Sequence, residues 1–172
     1  MFIVVESQYA SCWCAGLGEA LNRIRSVADY QFGKGTGLAL FPENVEIAFS
    51  KRTGRIRYVY LAGKRLATMR PTDGLFSLSI AGAKRIVEKV DSAKCFITVR
   101  NDVSKFVAEG GDVFAMHVVK ADDEIRSKEE VIVLDESGEV LAVGRSVLSG
   151  EEMKAFKRGV AVKVRRGGME ET

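Results

Sequence analysis

The chain is poor in amides: Asn22, Asn44, Asn101, Gln8 and Gln31 are its only Asn and Gln among 172 residues. It has two prolines, one tryptophan and one histidine, His117. A single histidine excludes any site built on a histidine pair, and leaves a nucleophile only one imidazole base to use. The alternation around His117 places it on a strand, where a partly buried, hydrogen-bonded role is expected. Cys12, Cys14 and Cys95 are odd in number, and only one residue separates the first two. Structural zinc takes four ligands, with two to four residues between paired cysteines. No metal and no cofactor is therefore expected, and the thiols are expected to be buried and reduced. No apolar run approaches the ~20 residues of a membrane helix. Met1–Val5 does not open a basic-then-apolar leader, so a cytoplasmic protein with no membrane partner is expected.

What the chain does have is charge, and the charge is segregated. Charged residues make up 28% and hydrophobic ones 47%. Few amides with many charges is a composition of heat-adapted proteins. Residues 1–92 carry thirteen Lys/Arg against eight Asp/Glu, whereas 93–172 carry thirteen against fifteen. Two segments are basic without any acid. Residues 51–70 hold Lys51, Arg52, Arg55, Arg57, Lys64, Arg65 and Arg70; residues 154–166 hold Lys154, Lys157, Arg158, Lys163, Arg165 and Arg166. Residues 122–139 between them are acidic. Such segregation speaks of a polyanionic partner more than of a fold, although a charged run is also simply a solvated face.

Leu17, Ala20, Leu21, Ile24 and Ala28 have helical spacing and predict an amphipathic helix over 16–28. The glycine-rich 33–37 that follows lacks the spacing and the Gly-Lys-Ser/Thr ending of a phosphate-binding loop. A strand over Val45–Ser50 is expected next. A hairpin follows, Arg55–Leu61 and Lys64–Met69 around Ala62-Gly63. Arg55 and Arg57 share one face of its first strand, with Tyr58 and Tyr60 on the other. A strand over Leu75–Ser79 and a helix carrying Ile80, Ala83, Val87 and Val90 complete an α+β half that ends near Asp91.

The second half is expected to start with a strand over Cys95–Val99. Asn101 or Asp102 would then cap a short helix with Val103, Phe106 and Val107 facing inward. Gly110 takes the C′ position that stops it. A strand over Val113–Val119 and a hairpin of Glu130–Leu134 with Val140–Val143 follow. Ser149 and Glu152 have capping-box spacing. A last strand covers Val160–Val164, before a frayed tail. Short strands with two small helices suit a partly closed barrel.

Three stretches together resemble a PUA domain, the RNA-binding module named after pseudouridine synthases and archaeosine transglycosylases. They are the strand–helix–Gly-Gly-Asp-Val unit of Phe96–Val113, the Glu129–Gly144 hairpin, and Leu148–Arg165. Residues 28–37 and 50–85 resemble the region preceding that module in archaeal archaeosine tRNA-guanine transglycosylases. The fold implied is an α+β N-terminal domain followed by a mixed-β PUA-like pseudo-barrel with two short helices. Its expected boundaries are 1–92 and 93–167, with 168–172 a tail. The family's catalytic barrel, of ~250 residues, has no room here beside these two parts, so no catalytic residues are assigned. The resemblance implies a non-catalytic RNA-binding protein that recognises tRNA or another structured RNA, linked to RNA modification. The alternative is the RNA-binding subunit of a split tRNA-modifying enzyme whose catalytic barrel is a separate chain; Cys12, Trp13 and Cys14 would then be a docking surface. The RNA-contacting residues it implies are Lys105, Phe106, Gly110, Gly111, Arg145, Lys163, Arg165 and Arg166, with Arg55 and Arg57 in the first half. The residues alone offer plainer readings of Phe106 as core and of Gly110–Gly111 as a helix stop.

Overall fold

A computed structural model of the chain describes residues 3–5, 14–90 and 93–171. The chain divides into two compact units, residues 1–92 and 93–172.

The first unit is a five-stranded antiparallel sheet in chain order, with helices packed on one side. The elements are β1 (Ile3–Val5), α1 (Cys14–Phe32), α2 (Thr36–Leu40), β2 (Glu46–Phe49), β3 (Ile56–Leu61), β4 (Lys64–Met69), β5 (Phe76–Leu78) and α3 (Ile80–Lys89). The inward register is Ile47, Val59, Ala67 and Leu78, all buried, and Ile24, Ala28 and Phe32 of α1 and Ala83 and Ile86 of α3 are buried with them. The β3–β4 hairpin closes where expected, with Ala62 and Gly63 both at positive φ. That is the type I′ geometry that matches strand twist.

Two polar devices finish this unit. Gln31 of α1 both donates to Phe76 O (2.8 Å) and accepts from Phe76 N (2.7 Å), standing in for the missing strand beside β5. Asp29 Oδ1 accepts from Gly37 N at 2.7 Å and Arg25 Nε donates to Phe41 O at 2.8 Å, tying α2 back onto α1. Gly37 lies so close to the Arg25 backbone that a Cβ would collide with it. The glycine-rich segment is thus a tight helix–helix link.

The second unit is a mixed six-stranded sheet curled on itself. Its elements are β6 (Phe96–Val99), α4 (Ser104–Ala108), β7 (Val113–Phe114), β8 (Val118–Ala121), β9 (Glu130–Leu134), β10 (Val140–Ser146), α5 (Gly150–Ala155) and β11 (Val160–Gly167), in sheet order β7-β11-β10-β9-β6-β8. β6 and β9 are parallel and the other pairs antiparallel. Ile97, Val113, Val131, Val133, Ala142 and Val162 lie at the centre of its core. Ser149 caps α5 in a full capping box with Glu152.

Four local expectations are corrected. The strand expected over Val113–Val119 is two short strands broken by a 3-10 turn, Ala115–His117. Neither Asn101 nor Asp102 caps α4: Asn101–Val103 is itself a 3-10 turn, and Asp102 pairs with Arg100 at 2.7 Å. β11 runs on to Gly167. The segment expected to fray forms a 3-10 turn at Gly168–Glu171.

Candidate nucleic-acid interface

α4 ends in a Schellman motif. Gly111 N donates to Phe106 O at 2.9 Å and Gly110 N to Val107 O at 3.0 Å, with Gly110 at φ +98°. Both orphan carbonyls at the helix end are thereby satisfied, and a left-handed residue is required at C′. Gly111 has a different reason to be glycine: the Phe106 ring lies where its Cβ would be. Phe106 is 55% exposed, so the expectation of a core position is overturned. The 3-10 turn ahead of α4 advances the chain by three residues per turn instead of 3.6. Val107 then points inward and Phe106 outward over the loop.

The end of β11 runs against this loop. A Cβ on Gly167 would strike the Ala108 carbonyl and Gly110 N, and Val164 N donates to Asp112 Oδ1 at 2.9 Å. Exposed Lys105 and Phe106, the Gly110–Gly111 backbone and the last strand therefore form one neighbourhood.

Arg145, Lys163 and Arg165 form a second group. Arg145 stands opposite Lys163 on β11 and opposite Glu130 on β9. Glu130 is a carboxylate only 2% exposed, and Arg165 forms its ion pair. Arg145 Nε donates to Lys128 O at 3.0 Å. Of the three cations, Arg165 pairs with the buried acid, Arg145 stands beside it on the neighbouring strand, and Lys163 is exposed. The β10–β11 register shifts between Val143 and Gly144, which places Arg166 opposite Val143, half-buried.

Arg55 and Arg57 belong to the first unit. Arg55 precedes β3, and its carbonyl accepts from Ser50 N at 2.8 Å. Arg57 and Arg65 both bring guanidinium groups to the Tyr58 ring, at 5.6 and 5.7 Å from its centroid. Tyr58 and Tyr60 meet edge to face at 6.1 Å. The partition of arginines and tyrosines onto opposite faces fails at Arg57, whose side chain folds over to its neighbour. Arg65 was not among the expected residues; its position across the β3–β4 hairpin from Tyr60 was the available signal.

The structure also places residues with other expected roles. Cys95 is free and buried, and burial pushes its thiol far above the ordinary range. Cys12 and Trp13, and the side chain of Cys14, lie outside what is described. Among the described residues no group of His, Cys, Asp and Glu is arranged to hold a metal, and no helix is long and apolar enough to cross a membrane.

Residues 22–92 match the patch-forming domain C2 of tRNA-guanine transglycosylase, and residues 96–168 match the PUA domain. The chain carries a C2 domain followed by a PUA domain. It is 45% identical over 150 residues to the tRNA-guanine(15) transglycosylase of Thermococcus kodakarensis, covering 87% of this chain and 26% of that protein. Against the Methanothermobacter thermautotrophicus enzyme it is 40% identical over 148 residues, covering 86% and 23%. The chain spans about a quarter of the length of these curated relatives. Among solved structures, a hypothetical protein of Pyrococcus horikoshii superposes with TM-score 0.73 at 20% identity, covering 97% of this chain and 94% of that one. A PUA domain protein of Thermoplasma acidophilum gives 0.62 at 20% identity, covering 88% and 89%.

Proposed function

We propose that this chain is a non-catalytic RNA-binding protein that recognises tRNA or another structured RNA through its PUA domain, in connection with tRNA modification. The observation that carries the reading is the α4–β7 loop. There an exposed aromatic ring, an exposed lysine and a glycine-paired backbone stand together on the module whose family relatives modify tRNA. Lysine and arginine neutralise phosphates, and an exposed aromatic stacks on unpaired bases. Lys105, Phe106, Gly110 and Gly111 are assigned the first contact. Arg145, Lys163, Arg165 and Arg166 extend it along β10 and β11, and Arg55 and Arg57 contribute from the C2 domain. Such a protein works in the cytoplasm, with RNA as its partner.

The 45% identity to a tRNA-modifying enzyme favours a second reading, an RNA-binding subunit for a tRNA-modifying catalytic chain. Affinity capture of the tagged chain from its native cells, followed by assay for base exchange, separates the two.

The main test is anisotropy of a labelled tRNA transcript at two salt concentrations, with and without its unpaired 3′ end. Salt-sensitive binding that weakens without the end supports the PUA assignment. Absence of binding at micromolar protein overturns it.

A further inference from the structure

Three segments converge on the start of β11. Ala115 N donates to Gly159 O at 2.9 Å from the β7 side, and Val147 N donates to Ala161 O at 2.8 Å from the β10 side. The loop out of α5 supplies the third segment and runs directly into Gly159. Each segment carries an exposed apolar side chain: Met116 at 58%, Val147 at 45% and Phe156 at 48%. Phe114, opposite Val160, is no part of this group and lines a pocket with Phe106 and His117. Phe156 takes extended dihedrals at the C-cap of α5, and Gly159 at φ +97° turns the loop into the strand. Lys157 and Arg158 lie between them, both exposed and with no ion-pair partner among the described residues. Lys154, three residues earlier, is held by Asp123, and the acids of α5 lie in its first turn, at the opposite end.

We infer that this end of the PUA barrel docks a segment of a partner protein whose apolar side chains are flanked by carboxylates. None of the residues assigned to RNA above takes part. Apolar side chains exposed singly need no explanation, but gathered in one place they mark a docking surface. Phe, Met and Arg are enriched at the centres of protein–protein contacts, and Met adapts its shape to what it meets. RNA is a poorer occupant, because Met116 and Val147 have no π-face on which a base can stack. A second copy is disfavoured, since a two-fold contact would set Lys157 and Arg158 against their own counterparts. Anionic membranes are held by clusters of about four to eight cations, whereas this loop supplies two. The complementary surface therefore has apolar groups at its centre and Asp or Glu at its rim, where the opposite charge steers the encounter.

Met116 is a local reporter, as one of five methionine methyls. The full-length protein, labelled with [methyl-¹³C]methionine and assigned with Met116→Leu, is titrated with two ten-residue peptides. Both have the same leucine and phenylalanine positions; one carries glutamates between them, the other lysines. Oligouridylate and phosphatidylserine vesicles are titrated separately, and sedimentation velocity follows self-association. The glutamate peptide should move the Met116 signal and bind at least about tenfold tighter than the lysine peptide. Phe156→Ser should weaken that binding about tenfold, the effect of truncating an aromatic at the centre of a contact. Its urea midpoint and tRNA affinity should stay at wild-type values. Lys157→Glu with Arg158→Glu should reverse the preference, towards the lysine peptide. A Met116 signal that neither peptide moves, or that both move equally, overturns the proposal. A signal that answers only oligouridylate or the vesicles overturns it in favour of RNA or membrane. A dimer that Phe156→Ser abolishes overturns it in favour of a second copy. Absence of tRNA binding in the same samples removes the RNA reading and leaves this one standing.

Discussion

Replacing Arg165 with alanine separates the two roles that this side chain can have. Arg165 is one of three cations grouped on β10 and β11, and it is also the ion-pair partner of Glu130, whose side chain is 2% exposed. Removing one partner of a buried pair costs about 3–5 kcal/mol, because the other charge is left uncompensated. Here Arg165 is 38% exposed, so water screens part of the interaction and follows the lost side chain in. The range for a charged hydrogen bond, about 1.5–3 kcal/mol, is the better guide. Arg165→Ala is therefore expected to lower unfolding free energy by about 2 kcal/mol. Lys163→Ala, at an exposed position on the same strand, should change it by less than about 0.5 kcal/mol. The double replacement Arg165→Met with Glu130→Leu should recover most of the loss, since exchanging a buried pair for packed apolar groups is near neutral. Urea unfolding, with the slope checked for constancy across variants, measures all three. In salt-dependent RNA binding, Lys163→Ala should reduce the log–log slope by about 0.7–0.9, one phosphate contact. If Arg165→Ala unfolds like wild type, the pairing with Glu130 carries no stability and the structural role assigned to Arg165 is wrong.

Gly167→Ala should destabilise the PUA domain by about 1–3 kcal/mol, because the new methyl meets the Ala108 carbonyl and Gly110 N, backbone atoms that cannot swing aside; thermal unfolding measures it. Gly111→Ala should cost less stability but weaken tRNA binding, since the atoms in its way belong to the movable Phe106 ring; parallel Tm and anisotropy measurements separate the effects. Ser149→Ala removes the cap from α5 and should cost about 1 kcal/mol by urea unfolding. In a Cys12→Ser, Cys14→Ser background Cys95 should resist iodoacetamide until the protein unfolds. Its raised folded pKa means that the unfolded chain releases the proton first. Stability should therefore fall as pH rises above the unfolded thiol value of about 8.5, and a flat profile between pH 8 and 10 would contradict this.

The regular parts of this fold were legible because local chemistry and long-range packing agree there. Ala62-Gly63 sits between two alternating runs and closes the β3–β4 hairpin as read, and Ser149 with Glu152 starts α5 as read. Sequence reasoning stopped short where a few residues take a tighter path than period 2 or 3.6 allows. Asn101–Val103 winds as a 3-10 turn, so a stripe that counts Phe106 as inward is out of phase by the time α4 begins. Ala115–His117 does the same within an alternating run, which is indistinguishable from a strand until Gly159 and Arg100 are seen to hold it. These two departures place Phe106 and His117 beside one pocket. Neither residue could have been assigned there from periodicity, because periodicity is the property both turns break. The opposite limit applies to Arg165. Its basic surroundings in sequence are plain, but Glu130 is thirty-five residues away. Only the order β11-β10-β9 brings that buried acid within reach of it. A count of cations along 154–166 therefore overstates those available to a polyanion, since Arg165 is engaged by Glu130 and Lys154 by Asp123.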